Sequence, residues 1–165
     1  MTLPAARRRK ALAVAGLAAL GVALLGIAAT DIGPWYQALV KPSWQPPDWL
    51  FGPAWTVIYA LAALSAATAW TAAEDPPRQR RVVVLYGLNA LLNMLWSQLF
   101  FGLHRPDWAL VEVVFLWLSV LVLILAMRPI SRTASLLLWP YLAWVTFAGI
   151  LNLAIVRLNP PFGAP

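Results

Sequence analysis

Five long stretches contain no Asp, Glu, Lys or Arg: residues 11–30, 49–73, 82–103, 113–127 and 133–156. A helix needs about 20 predominantly apolar residues to cross the hydrocarbon core of a bilayer. Four of the stretches reach that length alone. The remaining one, 113–127, reaches it if it starts near Trp108 and carries Glu112 in its first turns. Backbone groups in lipid must find partners within the segment, so each stretch is expected to be a helix. The expected fold is an all-α membrane protein, a bundle of five transmembrane helices. They lie near 11–30, 48–73, 80–103, 107–127 and 132–157 in a single domain, 11–157. A basic tail, 1–10, precedes it and a second tail, 158–165, follows. With 62% hydrophobic and 11% charged residues among 165, the chain is too apolar for a soluble domain.

The basic residues fix an expected topology. Arg7, Arg8, Arg9, Lys10, Arg78, Arg80, Arg81, Arg128 and Arg132 fall on one side of the bundle, whereas Lys41, Arg105 and Arg157 fall on the other. The positive-inside rule then places the N-terminus in the cytoplasm and the C-terminus opposite. The first apolar segment is longer than a signal-peptide core and is read as a retained helix. The positive charges punctuate apolar spans and form no surface stripe, so no nucleic-acid partner is expected. Membrane lipid is the solvent.

The segment KPSWQPPDWLFGPAWTVIY, residues 41–59, packs three Trp and four Pro into the mouth of the second span. The prolines stiffen the chain and withhold donors, and Trp suits an interface or the wall of a flat ligand's pocket. The segment therefore reads as a rigid aromatic lid on the non-cytoplasmic side. Asp48 is expected to cap the second helix, with Pro53 in its first turns. Pro140 is expected inside the fifth helix as a kink.

Chemistry-bearing residues are few. There is no cysteine, one histidine (His104), and no carboxylate pair, metal-ligand cluster, phosphate loop or nucleophile elbow. No catalytic residue, metal or required cofactor is expected. Helical spacing instead gathers aromatic and amide groups. Phe51, Trp55 and Tyr59 share one face of the second helix. Asn89, Asn93, Trp96 and Phe100 share one face of the third, and Tyr141, Trp144, Ala148 and Asn152 one face of the fifth. Interhelical packing with Asn as glue explains such stripes. However, Trp55, Trp96 and Trp144 are bulky where close packing prefers small residues, which points to a pocket for a flat aromatic ligand. Trp35, Trp44, Trp49, Trp108 and Trp139 lie near span ends, where an interfacial belt and ligand contact are both open. Glu112 either reaches the interface to pair with Arg105 or His104, or handles substrate or protons.

The lid segment resembles the signature of the TspO/MBR family, the bacterial tryptophan-rich sensory proteins and the mitochondrial translocator protein or peripheral benzodiazepine receptor. LNALLNMLWSQLFFG (88–102), DWALVE (107–112) and WPYLAWVTFAGILN (139–152) are similar in the same order. The resemblance spans about residues 34–159. It implies five helices around a pocket, usually in a homodimer, binding porphyrins such as protoporphyrin IX and synthetic isoquinoline or benzodiazepine ligands. Carried over, it implies pocket roles for Trp55, Asn93, Trp96, Trp108, Ala143, Trp144 and Ala148, with Trp35, Trp44 and Phe51 in or near the lid. Gln98 stands where the family usually has Pro, which is expected to alter the third helix near Phe100. Leu153 stands where mitochondrial members carry Tyr, which weighs against cholesterol recognition.

A receptor or translocator of bacterial origin is therefore expected, with porphyrin as ligand and Lys41 or Arg105 near its propionates. Light- and oxygen-dependent porphyrin breakdown at Trp55 and Trp144 is the enzymatic alternative. A ligand-responsive regulatory scaffold is the third.

Overall fold

A computed structural model describes residues 5–162. Residues 1–4 and 163–165, the ends of the two expected tails, lie outside the described residues. The described chain is an all-α bundle with five membrane-spanning helices. These are α1 (Ala5–Ala29), α3 (Phe51–Ala72), α4 (Pro76–Ser97), α5 (Pro106–Met127) and α7 (Trp139–Leu158). Two short helices lie between them, α2 (Pro34–Ala38) and α6 (Arg132–Leu136).

Several boundaries depart from expectation for local reasons. Helix α1 already includes Arg9 and Lys10, because nothing in ARRRKALA interrupts good helix formers. Helix α4 begins at Pro76, four residues before the expected start. Asp75 caps it by accepting a hydrogen bond from Arg78 N at 2.8 Å, and the two prolines occupy positions where a missing N–H is harmless. Asp48 caps nothing. The chain enters α3 through a single 3-10 turn, Asp48–Leu50, and the Asp48 side chain is drawn into the lid.

Pro140 does not kink the interior of a helix. The expected fifth helix is divided into α6 and α7 by a turn at residues 137–138, and Pro140 lies in the first turn of α7. A proline ring excludes the carbonyl four residues earlier as a helical acceptor and disfavours helical geometry just before it. The helix therefore stops at Leu136 and restarts at Trp139.

Helix α5 is the axis of the bundle. Ala109, Glu112, Val113, Leu116, Val120, Leu123 and Met127 are buried along one face, packed against α4 and α7. Gly149 of α7 faces Val113, where a Cβ would make ordinary van der Waals contact at 3.6 Å from Val113 Cγ1. Helix α1 packs along α3 outside this core, and its span from Arg9 to Gly26 contains no buried residue.

At the end opposite the lid, α6 is held by side chains. Ser65, fully buried on α3, donates to the Ala134 carbonyl at 2.6 Å and receives the Tyr86 hydroxyl at 2.5 Å. Ser135 donates to the Ile124 carbonyl at 2.8 Å. Replacing Ser65 with Ala strands a buried carbonyl and a phenol at once. We expect a loss of about 1–3 kcal/mol, read as a lower thermal midpoint in detergent, whereas Thr71→Ala on the same helix, whose hydroxyl bonds only its own backbone, should change little.

Candidate ligand-binding site

The inward faces of α3 and α7 bring six rings together. Trp55 stacks on Tyr59, with centroids 5.3 Å apart, and meets Tyr141 and Trp144 edge-on at 6.2 and 6.3 Å. Trp144 also touches Phe51 at 5.8 Å and Phe147 at 5.4 Å. The i, i+4, i+8 spacing of Phe51, Trp55 and Tyr59 therefore does form one wall. Phe147 belongs to that wall as well and was not anticipated. Its signal was its position three residues beyond Trp144.

Asn93 fixes this wall to α4. Its Oδ1 accepts the Tyr59 hydroxyl at 2.7 Å, and its Nδ2 donates to the Tyr141 hydroxyl at 3.3 Å. One amide thus joins α3, α4 and α7. The other asparagines serve different contacts. Asn89 donates to Ser119 Oγ on α5 at 2.8 Å. Asn152 is buried, with its amide nitrogen donating to the Pro106 carbonyl and its oxygen accepting from Leu110 N, both at 3.0 Å.

A second aromatic group lies between α4 and the lid. Trp96 stacks on Phe100 at 5.3 Å, Phe100 meets Trp35 edge-on at 6.0 Å, and Trp35 stacks on His104 at 4.2 Å. Phe101 joins Trp96 to Tyr36. This arrangement depends on a π turn, Gln98–Gly102, closed by Leu103 N donating to the Gln98 carbonyl at 2.8 Å. The wider turn rotates Phe100 inward while Gln98 folds over Gly102, where a Cβ would stand only 2.7 Å from Gln98 Oε1. The expected departure at Gln98 thus coincides with a π turn, a feature often found at functional sites.

The lid is clamped rather than loose. Tyr36 donates to Asp48 Oδ1 at 3.1 Å, and Gln45 donates to the same oxygen at 3.0 Å. Lys41 pairs with Asp48 at 3.7 Å and stands 3.8 Å above the Tyr36 ring. Asn159, expected in a tail, instead grips Val40 by two bonds: its Oδ1 accepts from Val40 N at 2.8 Å and its Nδ2 donates to the Val40 carbonyl at 2.9 Å. An Asn at a helix C-terminus, just before two prolines, was the available signal. Trp44 adds an edge contact to Phe147 at 6.1 Å, although it is half exposed.

Three residues implied by the resemblance stand apart from the rings. Trp108 faces outward beneath the Arg105 guanidinium, 4.2 Å from its centroid. It lies about 100° around the helix from Ala109, which takes the inner face of α5. Ala143 is exposed and lines a groove on the outer surface of the bundle, between α3 and α7, with Ala54, Val57, Ile58, Pro140, Trp144 and Phe147. The groove is shallow and open, with about 490 Å³ of space against its walls. Ala148 is half-buried on α7, without a ring contact of its own. Trp49 and Trp139 are exposed, as a membrane belt requires. Both cations on the lid side are engaged, Lys41 by Asp48 and Arg105 by Asp107, and Glu112 is buried with no salt bridge among the described residues.

The sequence profile of the TspO/MBR family matches residues 12–158. The chain belongs to this family. It is 43% identical to the tryptophan-rich protein TspO of Chlorobaculum tepidum over 76% of this chain and 80% of that protein. It is 39% identical to protein CrtK of Rhodobacter capsulatus, over 78% of this chain and 80% of the relative. The human translocator protein is 35% identical over 76% of this chain and 75% of its own length. Family membership and the five apolar spans make the chain an integral membrane protein.

Two outcomes follow from the geometry. Asn93→Leu removes both partners of Tyr59 and Tyr141 and should cost about 1–3 kcal/mol, read as a lower thermal midpoint in detergent. Adding Tyr59→Phe to Asn93→Leu should recover part of that loss, because one of the stranded phenols is then gone. In the lid, burial first and the Asp48 carboxylate second push the Tyr36 phenol from 10.0 up to about 12. The folded lid favours the neutral phenol, so its contribution is complete below pH 10 and is lost as pH rises towards about 12. Amide exchange at residues 36–48 should therefore accelerate across that window in wild type, and Tyr36→Phe should remove the step.

Proposed function

We propose that this protein is a receptor or translocator for porphyrins, protoporphyrin IX among them, and for other flat apolar ligands of similar size. The observation that carries this reading is the ring cluster of Phe51, Trp55, Tyr59, Tyr141, Trp144 and Phe147, joined to the outer groove between α3 and α7. Edge-on and offset rings offer π faces on which a flat macrocycle stacks, and each such contact adds about 0.5–1.5 kcal/mol beyond its buried area. The groove's walls are Ala, Val, Ile, Pro and aromatic residues, which suits a ligand already dissolved in lipid.

Access follows from the same features. The lid is tied to α3 through Asp48 and to α7 through Asn159, so opening it breaks several hydrogen bonds. The groove needs none of these broken, and lateral entry from the bilayer is the easier route. Trp144 belongs to both the groove and the ring cluster, and acts as the door between them. The bias of basic residues supports a topology with the lid and the C-terminus away from the cytoplasm. The working unit, by family resemblance, is a homodimer.

Quenching of Trp fluorescence by protoporphyrin IX tests the site in detergent. Trp55→Ala and Trp144→Ala should each weaken binding by about tenfold or more, the equivalent of one or two lost ring contacts. Trp49→Ala, on the exposed belt, should leave the titration unchanged apart from its own lost emission. Identical curves for wild type, Trp55→Ala and Trp144→Ala would remove the ring cluster from the binding site.

A further inference from the structure

The end of the bundle opposite the lid is the basic end. Glu74 and Asp75, in the turn between α3 and α4, are the acids it holds among the described residues. Arg78 takes both, at 3.7 Å from Glu74 and 3.3 Å from Asp75. Just beyond it, Arg80 and Arg81 stand exposed on α4, with no ion pair or hydrogen bond among the described residues. With Pro76, Pro77 and Val84 they line a shallow, open groove with about 670 Å³ of space against its walls. The backbone donors at the start of α4 are already spent. Pro76 and Pro77 have none. Asp75 accepts from Arg78 N with its side chain and from Gln79 N with its carbonyl. Two unneutralised guanidinium groups are therefore what the groove offers to a polar partner.

Beyond these charges the same face of α4 is apolar. Arg81, Val84, Leu88, Leu91 and Leu95 recur three or four residues apart, so they lie on one stripe. The four apolar members are 46% to 61% exposed, whereas Val82, Asn89 and Asn93 on the inner side are buried. Gly87 stands beside the stripe, and a Cβ there would meet nothing within 4 Å, so the surface next to Val84 and Leu88 is open. At about 1.5 Å per residue, Val84 to Leu95 covers about 16 Å, the depth of one leaflet of a hydrocarbon core about 30 Å thick. Arg80 and Arg81 then stand where the headgroups of that leaflet begin.

We propose that this face of α4 is a binding site for one anionic glycerophospholipid. Its phosphate is held by Arg80 and Arg81, and an acyl chain lies along Val84, Gly87, Leu88 and Leu91. Charge complementarity selects the occupant. A guanidinium matches phosphate oxygens with two parallel bonds, and a pair of them keeps net positive charge after binding one phosphate diester. A zwitterionic lipid brings an ammonium to that surplus, whereas a lipid with an uncharged glycerol headgroup brings none. A soluble phosphate would satisfy the arginines and leave the apolar stripe unused. A second copy of the chain, seated on the same face, would set like charges against each other at one depth. The excess of basic residues at this end supports a place in the cytoplasmic leaflet, the anionic one. The site is at the far end of the bundle from the lid and does not depend on the porphyrin reading.

Native mass spectrometry of the full-length protein in detergent tests the site, with titration by dioleoyl phosphatidylglycerol or dioleoyl phosphatidylcholine. Wild type should hold the first phosphatidylglycerol about tenfold more tightly than the first phosphatidylcholine. Arg80→Gln combined with Arg81→Gln should erase that preference. The lipid-free thermal midpoint should not fall, because neither side chain has a partner to lose. Arg128→Gln combined with Arg132→Gln removes the same charge from the same end and should leave the preference intact. Equal loss in both double variants means diffuse attraction and overturns the site, as does a wild type with no preference between the two lipids. Glycerol phosphate carries the anion without the chains and should not displace the bound lipid. Displacement by it reassigns the groove to a soluble phosphate and overturns the lipid assignment. A double variant at Arg80 and Arg81 that changes the ratio of dimer to monomer, with lipid retention unchanged, makes the face an interface between copies and overturns it too.

Discussion

A bundle in lipid cannot rely on apolar side chains leaving water, because its surroundings are as apolar as its interior. Helix association depends instead on close packing and on a small number of interhelical hydrogen bonds. In this protein Asn93 is the bond on which the site depends. Its two amide atoms hold phenols from α3 and α7, and those phenols in turn position Trp55 by stacking and edge contact. Without Asn93 the walls have few points of attachment, since α3 and α7 themselves meet sparingly. The sparing contact is what leaves the groove between them. One amide therefore permits a gap in the bundle that direct packing would have closed.

The same division runs through the rest of the molecule. Helix α5 packs against α4 and α7 through a mainly apolar face, to which Asn89 and Asn152 each add a polar contact. Around the aromatic walls the interactions are longer, polar and directional. The lid follows this second pattern. Asp48 and Gln45 bond each other and Tyr36 within it, Asn159 reaches it from the end of α7, and Tyr36 and Leu39 beside it are buried in an apolar cluster with Phe100 and Ile155. A segment held by a few hydrogen bonds can open locally at a fraction of the free energy that the core would require.

Much of this was legible in the sequence. The charge-free stretches located the five spans, because only helices satisfy their backbone in lipid, and the period of Phe51, Trp55 and Tyr59 located one wall. Periodicity gives a face, however, and does not say which neighbour that face meets. Asn89, Asn93 and Asn152 look alike in the sequence, yet Asn89 meets a serine, Asn93 two phenols and Asn152 the backbone of α5. Trp108 sat inside a family motif, yet one residue of phase on α5 turns it outward. Pro140 was read as an interior kink because span length suggested one helix, whereas local geometry made two. Asn159 lay past the last apolar run and was read as tail, because its partner, Val40, is over a hundred residues away and no local pattern signals such a contact.

Glu112 marks the limit of that legibility most clearly. Sequence position left two readings, an interfacial acid paired with Arg105 or His104, or a functional acid within the span. The structure gives Arg105 to Asp107 and His104 to Trp35, and leaves the carboxyl buried on α5. An acid retained there lowers the stability of the empty bundle, since a residue such as Leu would fill the same volume without polar atoms. The indole nitrogens of Trp96 on α4 and Trp144 on α7 are also buried without a partner among the described residues and carry a similar penalty.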